Sequence, residues 1–372
     1  MDMKKKKILA VIGTRPEAIK MAPVVEEIRK RGKFTCCVCM TGQHRELLYD
    51  ALSGEIPNPD YSLEVMRRGQ SLSALTQRIL EGVDGVVRSE APDLMLVQGD
   101  TTTAFASALV AFYRGIPVGH VEAGLRTYDL SSPFPEEWNR QGIGILADYH
   151  FAPTLRAKER LLREGKADGR VMITGNTGID ALRKRLRENF THPLLDWAEG
   201  SRLLLLTAHR RENRGAPMEQ MFRGIRRVVE EFSSVKLIFP VHPHPGIREL
   251  AEGILGGCER IRLVEPMSVS EFQNIMARCH LILTDSGGIQ EEAPYLHKPV
   301  LVLRKETERM EGVEAGTSRL IGTAEGAVYR GIRELLENDA LYCAMSRGKN
   351  PYGDGYAGQR IAKALEKQYS GI

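Results

Sequence analysis

Several carboxylates stand where apolar runs end. "LMLVQGD" delivers Asp100, "PVGHVEAG" delivers Glu122, and "SPFPEEWNR" adds Glu136 and Glu137 in a proline-bounded loop. Carboxylates at strand ends in one domain can serve as acid and base on a shared substrate. Asp100 could instead cap the helix begun by "TTT", whereas Glu122 has no such structural duty. The first apolar run ends "VIGTRPEAIKMAP", with Arg15 at the strand end and Lys20 one turn into a helix begun by Pro16. Two cations so placed could face a diphosphate, or stand as solvated surface charges. Neither G-x-G-x-x-G nor the Walker pattern can be drawn there, which disfavours NAD and ATP.

A second group lies in the other half of the chain. "LILTDSGGIQEEA" places Ser286, Gly287 and Gly288 after a buried strand and before a helix, where backbone N–H groups and the helix dipole favour a phosphate. Glu291 or Glu292, one turn on, could accept hydrogen bonds from ribose hydroxyls, so a nucleotide fits better than inorganic phosphate. A plain strand-to-helix turn is the structural alternative. "LLLLTAHRREN" groups His209, Arg210 and Arg211, a proton relay beside phosphate clamps. "VHPHP" offers His242 and His244, but no Cys or carboxylate cluster lies close in sequence, so no metal and no other cofactor is expected.

The elements that must position these residues are short apolar runs alternating with segments of helical period: "KILAVIG", "APVVEEIRK", "TCCVCMT", "DLMLVQGD", "TTTAFASALVAFYR", "PVGHVEA". This is the rhythm of a parallel sheet. It pauses between about Thr177 and Gly200 and restarts at "RLLLLTAHRREN". Two doubly wound α/β domains are expected, with ligands outside the carboxyl ends of the strands. At 372 residues the chain exceeds what one core usually organises, and 42% hydrophobic content supplies two interiors.

The net charge of +4, from 52 basic and 48 acidic residues, suits an anionic small molecule and does not call for nucleic acid. No apolar stretch approaches the roughly 18 residues that would cross a bilayer. The lysines before "ILAVIG" precede an apolar run too short for a signal peptide, so a cytoplasmic chain is expected. The six cysteines contain no C-x-x-C pair and are expected as buried reduced thiols.

Read together, "GTRPEAIKMAP", "GDTTT", "HVEAGLRT", "SPFPEE", "TGN", "TAHRREN", "TDSGGIQEEAP", "TER", "GVEAGT" and "NPYGDG" resemble, in order and nearly end to end, the bacterial non-hydrolysing UDP-N-acetylglucosamine 2-epimerases. That resemblance implies two Rossmann-like domains in the GT-B arrangement. The first would span residues 1–175 and be joined by a C-terminal helix at about 356–372; the second, which binds UDP, would span 176–355. It implies that Ser286, Gly287 and Gly288 hold the diphosphate and Glu292 the ribose. Arg15, Lys20, His209 and Arg309 would surround the phosphates, and Phe272 with the main chain near Met267 would flank uracil. Asp100, Glu122 and Glu136, with His209, form the implied catalytic set. Reversible conversion of UDP-N-acetylglucosamine to UDP-N-acetylmannosamine for cell-surface polysaccharide, in a homodimer, is the implied activity.

Relatives often bind a second UDP-N-acetylglucosamine as activator, and Gln43, His44, Arg210 and His242 match that site. Gly69 departs from it, standing where relatives often carry arginine; Met310 replaces a usual proline. The competing readings are a hydrolysing relative that releases UDP, a GT-B glycosyltransferase, and a non-catalytic nucleotide-sugar sensor. The last would not need three carboxylates beside an anionic ligand.

Overall fold

The computed structural model describes residues 5–42, 59–67 and 69–369. Two compact units divide it: Met1–Ala181 with Gly353–Ile372, and Leu182–Tyr352.

In the first unit, strands β1 (Lys6–Ile12), β2 (Phe34–Met40), β3 (Tyr61–Ser62), β4 (Leu94–Gln98), β5 (Val118–Val121), β6 (Tyr149–Ala152) and β7 (Val171–Ile173) form a parallel sheet in the order β3-β2-β1-β4-β5-β6-β7. Helices α1 (Arg15–Arg31), α2 (Leu72–Glu90), α3 (Thr102–Tyr113), α4 (Glu136–Leu146), α5 (Leu155–Arg163) and α6 (Thr177–Arg185) alternate with them. The strands read as unbroken apolar runs because both faces are covered. One core includes Ile8, Ala10, Ile12 and Met21, and the other Leu9, Val11, Val83 and Val97.

The start of α1 is set by a capping box: the Thr14 hydroxyl accepts from the Glu17 N–H, and the Glu17 carboxylate accepts from the Thr14 N–H. The last helix of the chain, Ala357–Tyr369, packs on α1 in this unit. Buried Asp180 accepts from the N–H groups of Ala357 and Gly358 at 3.0 and 2.8 Å, satisfying two donors at that helix's start. Gly358 is required there, since a Cβ would stand 2.7 Å from the Pro23 carbonyl oxygen.

In the second unit, β8 (Arg202–Thr207), β9 (Val235–Pro240), β10 (Ile261–Val264), β11 (Leu281–Thr284), β12 (Val300–Val302) and β13 (Ser318–Leu320) form a parallel sheet in the order β10-β9-β8-β11-β12-β13. Its helices are α7 (Pro193–Ala198), α8 (Ala216–Glu231), α9 (Pro245–Leu255), α10 (Val269–Met276), α11 (Gly287–Glu292), α12 (Met310–Glu314), α13 (Glu325–Glu337) and α14 (Asp339–Arg347), followed by α15 (Ala357–Tyr369), the helix that belongs to the first unit. The pause expected between Thr177 and Gly200 is filled by α6 and α7. Both are short, at nine and six residues, too few turns to display a helical period.

All six cysteines are free. Cys36, Cys37, Cys39 and Cys279 are buried as expected, but Cys258 is half-buried and Cys343 is exposed on α14. No helix among the described residues is long and apolar enough to cross a membrane.

His120 and His150 are paired in register across β5 and β6, each 1% exposed. Burial is the main cause that pushes their pKa values down, to about 4 and about 3. Both are therefore neutral in the fold, while in the unfolded chain they titrate near 6.5, an ordinary imidazole value. As pH falls the unfolded chain binds more protons. Stability present above about pH 6.5 is thus lost on the way to pH 4, by about 1.4 kcal/mol per pH unit per ring. Urea unfolding between pH 7 and 4.5 should show this loss, with a shallower slope in His150→Gln. An unchanged slope would count against it.

Candidate active site

In both sheets the strand order reverses once, between β1 and β4 in the first unit and between β8 and β11 in the second. Ligands of open α/β sheets bind at such switch points, beyond the carboxyl ends of the strands. Asp100, Glu122, Arg15 and Lys20 follow β4, β5 and β1, and His209, Arg210 and Ser286–Gly288 follow β8 and β11, whereas His242 follows β9, Met267 and Phe272 follow β10, and Arg309 follows β12.

In the first unit, Gln98 and Val121 are register partners, so Asp100 and Glu122 emerge from neighbouring strand ends. Glu122 accepts from the Lys20 ammonium at 2.5 Å and from the Gln98 amide at 2.8 Å. It is held at φ 66°, in the left-handed region that non-glycine residues rarely occupy, which marks a residue positioned for more than packing. Lys20, expected beside phosphate, is here also the partner of Glu122.

Asp100 does not cap α3. Thr101 does, its hydroxyl accepting from the Ala104 N–H. Asp100 stands 3.4 Å from the Arg140 guanidinium. Burial pushes its pKa up, and the charges of Glu122 and Glu136 add to the rise while Arg140 and Lys20 oppose it. The three carboxylates expected to act together therefore share one electrostatic environment.

Arg15 is half-buried at the end of β1, and its Nε has no hydrogen-bond partner among the described residues. Below it Glu17, 2% exposed, accepts from the N–H groups of Gly13 and Thr14 at 3.1 and 2.6 Å and from the Thr101 hydroxyl at 2.8 Å. It thereby ties the Arg15 loop to the Asp100 loop. Burial pushes its pKa up to about 7.

Glu137 was grouped with Glu136 by its place in the loop, but the two differ. Glu137 is fully buried and accepts from the N–H groups of Thr127 and Tyr128, both at 3.0 Å, and from the Gln141 amide at 2.7 Å. Arg140 pairs with it at 3.2 Å. Glu137 thus anchors the loop before α4, whereas Glu136 is half-exposed at that helix's first position. Helical spacing alone could have separated them, since consecutive helix positions face different ways.

In the second unit the Thr207 and Thr284 hydroxyls bond at 2.6 Å across β8 and β11. Asp285, wholly buried, accepts from the N–H groups of His209 and Arg210 and from the Asn213 amide. Its Oδ1 lies 3.4 Å from His209 Nδ1, which orients that ring. Asp285 was in plain view in the sequence but was not read as the organiser of the His209 loop.

The His209 and His242 rings stack at 6.1 Å, and burial, then the His209 charge, lowers the His242 pKa. Arg210 reaches Glu308 at 3.6 Å. Gln43 and His44 lie outside the described residues. Gly69 has φ 72°, and among the described residues nothing lies within 4 Å of a Cβ placed there, so a side chain at this position meets backbone strain.

Arg309 pairs with Glu291 at 2.9 Å and Glu308 at 3.3 Å, and a Cβ on Gly287 would lie 3.4 Å from its guanidinium carbon. This separates the two glutamates left open by sequence: Glu291 is buried against Arg309, and Glu292 lines a cavity. That cavity, about 300 Å³, has walls from Thr207, Pro266, Met267, Phe272, Ile289 and Glu292. It is apolar with few polar groups, the character of a site for an aromatic ring. The Ser286 hydroxyl makes no cap bond, and its N–H donates to Thr284 Oγ1 at 2.9 Å. Among the described residues no cluster of three or more His, Cys, Asp or Glu could hold a metal.

The class these features define is that of α/β enzymes built from two Rossmann-like units. A solved glycosyltransferase, that of kitacinnamycin, shares the fold at 13% identity and TM-score 0.66 over 98% of this chain and 100% of its own. The chain belongs to the UDP-N-acetylglucosamine 2-epimerase family, isomerases whose family model matches residues 26–366. It is 51% identical to the UDP-N-acetylglucosamine 2-epimerase of Bacillus subtilis over 99% of this chain and 97% of that one. It is also similar to the Neisseria meningitidis UDP-GlcNAc 2-epimerase solved with UDP-GlcNAc bound, at 44% identity and TM-score 0.87, covering 97% of this chain and 100% of that one.

Removing Glu137 should expose its structural role. Glu137→Ala leaves Arg140 without its buried partner and two backbone donors unsatisfied, a loss of about 3 kcal/mol or more in urea unfolding. Glu136→Ala, at a half-exposed helix start, should lose about 1 kcal/mol or less. Equal losses would remove the distinction drawn between them.

Proposed function

We propose that this chain interconverts UDP-N-acetylglucosamine and UDP-N-acetylmannosamine by eliminating and re-adding UDP, supplying N-acetylmannosamine for surface polysaccharide. The observation that carries the reading is the set of differently held carboxylates at the ends of β4 and β5: Asp100 with a raised pKa, and Glu122 paired with Lys20. Groups whose environments differ in this way divide into acid and base.

The C2 proton of the sugar is not beside a carbonyl, so direct abstraction would give no stabilised carbanion. In the proposed step the C1–O bond breaks with its electron pair leaving on UDP, and a carboxylate takes the C2 proton. The C2–H pair then becomes the C1=C2 bond of 2-acetamidoglucal. C2 is reprotonated on its other face, and a UDP oxygen returns to C1. Asp100, Glu122 and Glu136 supply the acid and the base between them. The second unit holds UDP: uracil in the cavity beside Phe272 and Met267, ribose on Glu292, and diphosphate on the Ser286–Gly288 N–H groups. Arg309 and His209 add positive charge, and Arg15 and Lys20 of the first unit share in charge balance.

Turnover in deuterium oxide should place deuterium at C2 of both sugars, and a product that keeps all its protium would overturn the carboxylate scheme. Asp100→Asn, Glu122→Gln and Glu136→Gln should each lower kcat by about a hundredfold or more while UDP binding is kept. Product analysis separates the hydrolysing alternative, which would accumulate free UDP and N-acetylmannosamine. In calorimetry, Arg15→Ala should weaken UDP binding more than Ser286→Ala, because it removes a charge-assisted contact.

For regulation, we propose an activator site using Gln43, His44, Arg210 and His242, weakened by Gly69. Gly69→Arg should lower the half-activating concentration of UDP-N-acetylglucosamine in the reverse reaction about tenfold or more. An unchanged value would show that position 69 does not reach the activator.

A further inference from the structure

A buried amide stands behind the proposed ribose ligand. Gln273 lies on α10, one residue after Phe272, and is 2% exposed. Its Nε2 donates to Glu292 Oε2 at 3.1 Å, and both residues line the cavity. Its Oε1 is buried with no hydrogen-bond partner among the described residues.

An unpartnered buried acceptor costs stability, and an apolar side chain of the same length would avoid that cost. Packing therefore does not explain a glutamine here. The bond to Glu292 does. A glutamate has several rotatable torsions, and one at a cavity wall loses that freedom when it binds a ligand. Pinning one carboxylate oxygen from a rigid, buried neighbour removes part of that loss beforehand.

We infer that Gln273 is a positioning residue, which holds the Glu292 carboxylate in the orientation that reads ribose hydroxyls and so sets the preference for a ribonucleotide over a 2′-deoxyribonucleotide. This rests on the assignment of Glu292 to the ribose. A site built to bond a hydroxyl rejects the analogue that lacks it, because its own polar group is then left unpaired. Loosening that group weakens the discrimination without touching the base or the diphosphate.

The test compares UDP and dUDP by calorimetry in the natural protein, Gln273→Met and Glu292→Gln. Methionine matches glutamine in length and carries no donor. The natural protein should prefer UDP by about tenfold or more, the worth of one good hydrogen bond. Gln273→Met should lower UDP affinity several-fold, leave dUDP within twofold, and melt no lower than the natural protein.

If Glu292→Gln abolishes the preference while Gln273→Met keeps it, the ribose assignment stands and the positioning role is overturned. If Gln273→Met weakens both ligands equally, with or without a lower melting temperature, the amide serves the shape of the pocket and the inference is likewise overturned. If Glu292→Gln leaves the preference intact, the ribose assignment itself fails and this inference falls with it.

Discussion

Every site residue in each unit depends on one constraint: a parallel sheet delivers the carboxyl ends of all its strands to one edge, and a single reversal of strand order leaves a gap between two loops there. Neighbouring strands pair in fixed register, so groups far apart in the chain arrive side by side. Gln98 beside Val121 brings Asp100 to Glu122, and Thr284 beside Thr207 brings Asp285 to His209. No loop could hold such groups with comparable accuracy unless rigid strands fed it.

Within each unit, several of the charged groups near the strand ends are held by partners of that same unit. Lys20 and Gln98 hold Glu122, backbone N–H groups hold Asp285, and Arg309 meets both Glu291 and Glu308. Against the penalty of burial, Arg309 and Arg304 keep the Glu308 carboxyl at about 2. Asp100 is the contrast: burial and two neighbouring carboxylates raise its pKa despite Arg140. Carboxylates in environments that differ in this way are the kind that can divide acid and base roles.

Several buried groups act one step away from the residues that would touch substrate. Glu17 links the loops that carry Arg15 and Asp100, Glu137 fixes the loop ahead of Glu136, and Asp285 orients His209. Each is a carboxylate that accepts backbone N–H groups, so it holds loop geometry as well as charge. A loop of irregular backbone otherwise leaves donors unsatisfied, and a buried acidic side chain is a compact way to collect two or three of them.

The sequence by itself determined the fold class, because uninterrupted apolar runs alternating with helical periods admit little but a doubly wound parallel sheet. It determined the family through ordered motifs, and it picked out Asp100, Glu122, Arg15 and Ser286 because strand ends are where such a sheet places ligands. Only the tertiary structure decided which groups are partners. That Lys20 meets Glu122, that Glu291 belongs to Arg309 while Glu292 faces a cavity, and that Glu137 is anchored while Glu136 is not, all follow from distances between segments far apart in the chain. Local pattern records a residue's type and its face. Burial, charge balance and hydrogen-bond partnership arise from strand order and register, which close only when the whole sheet is assembled.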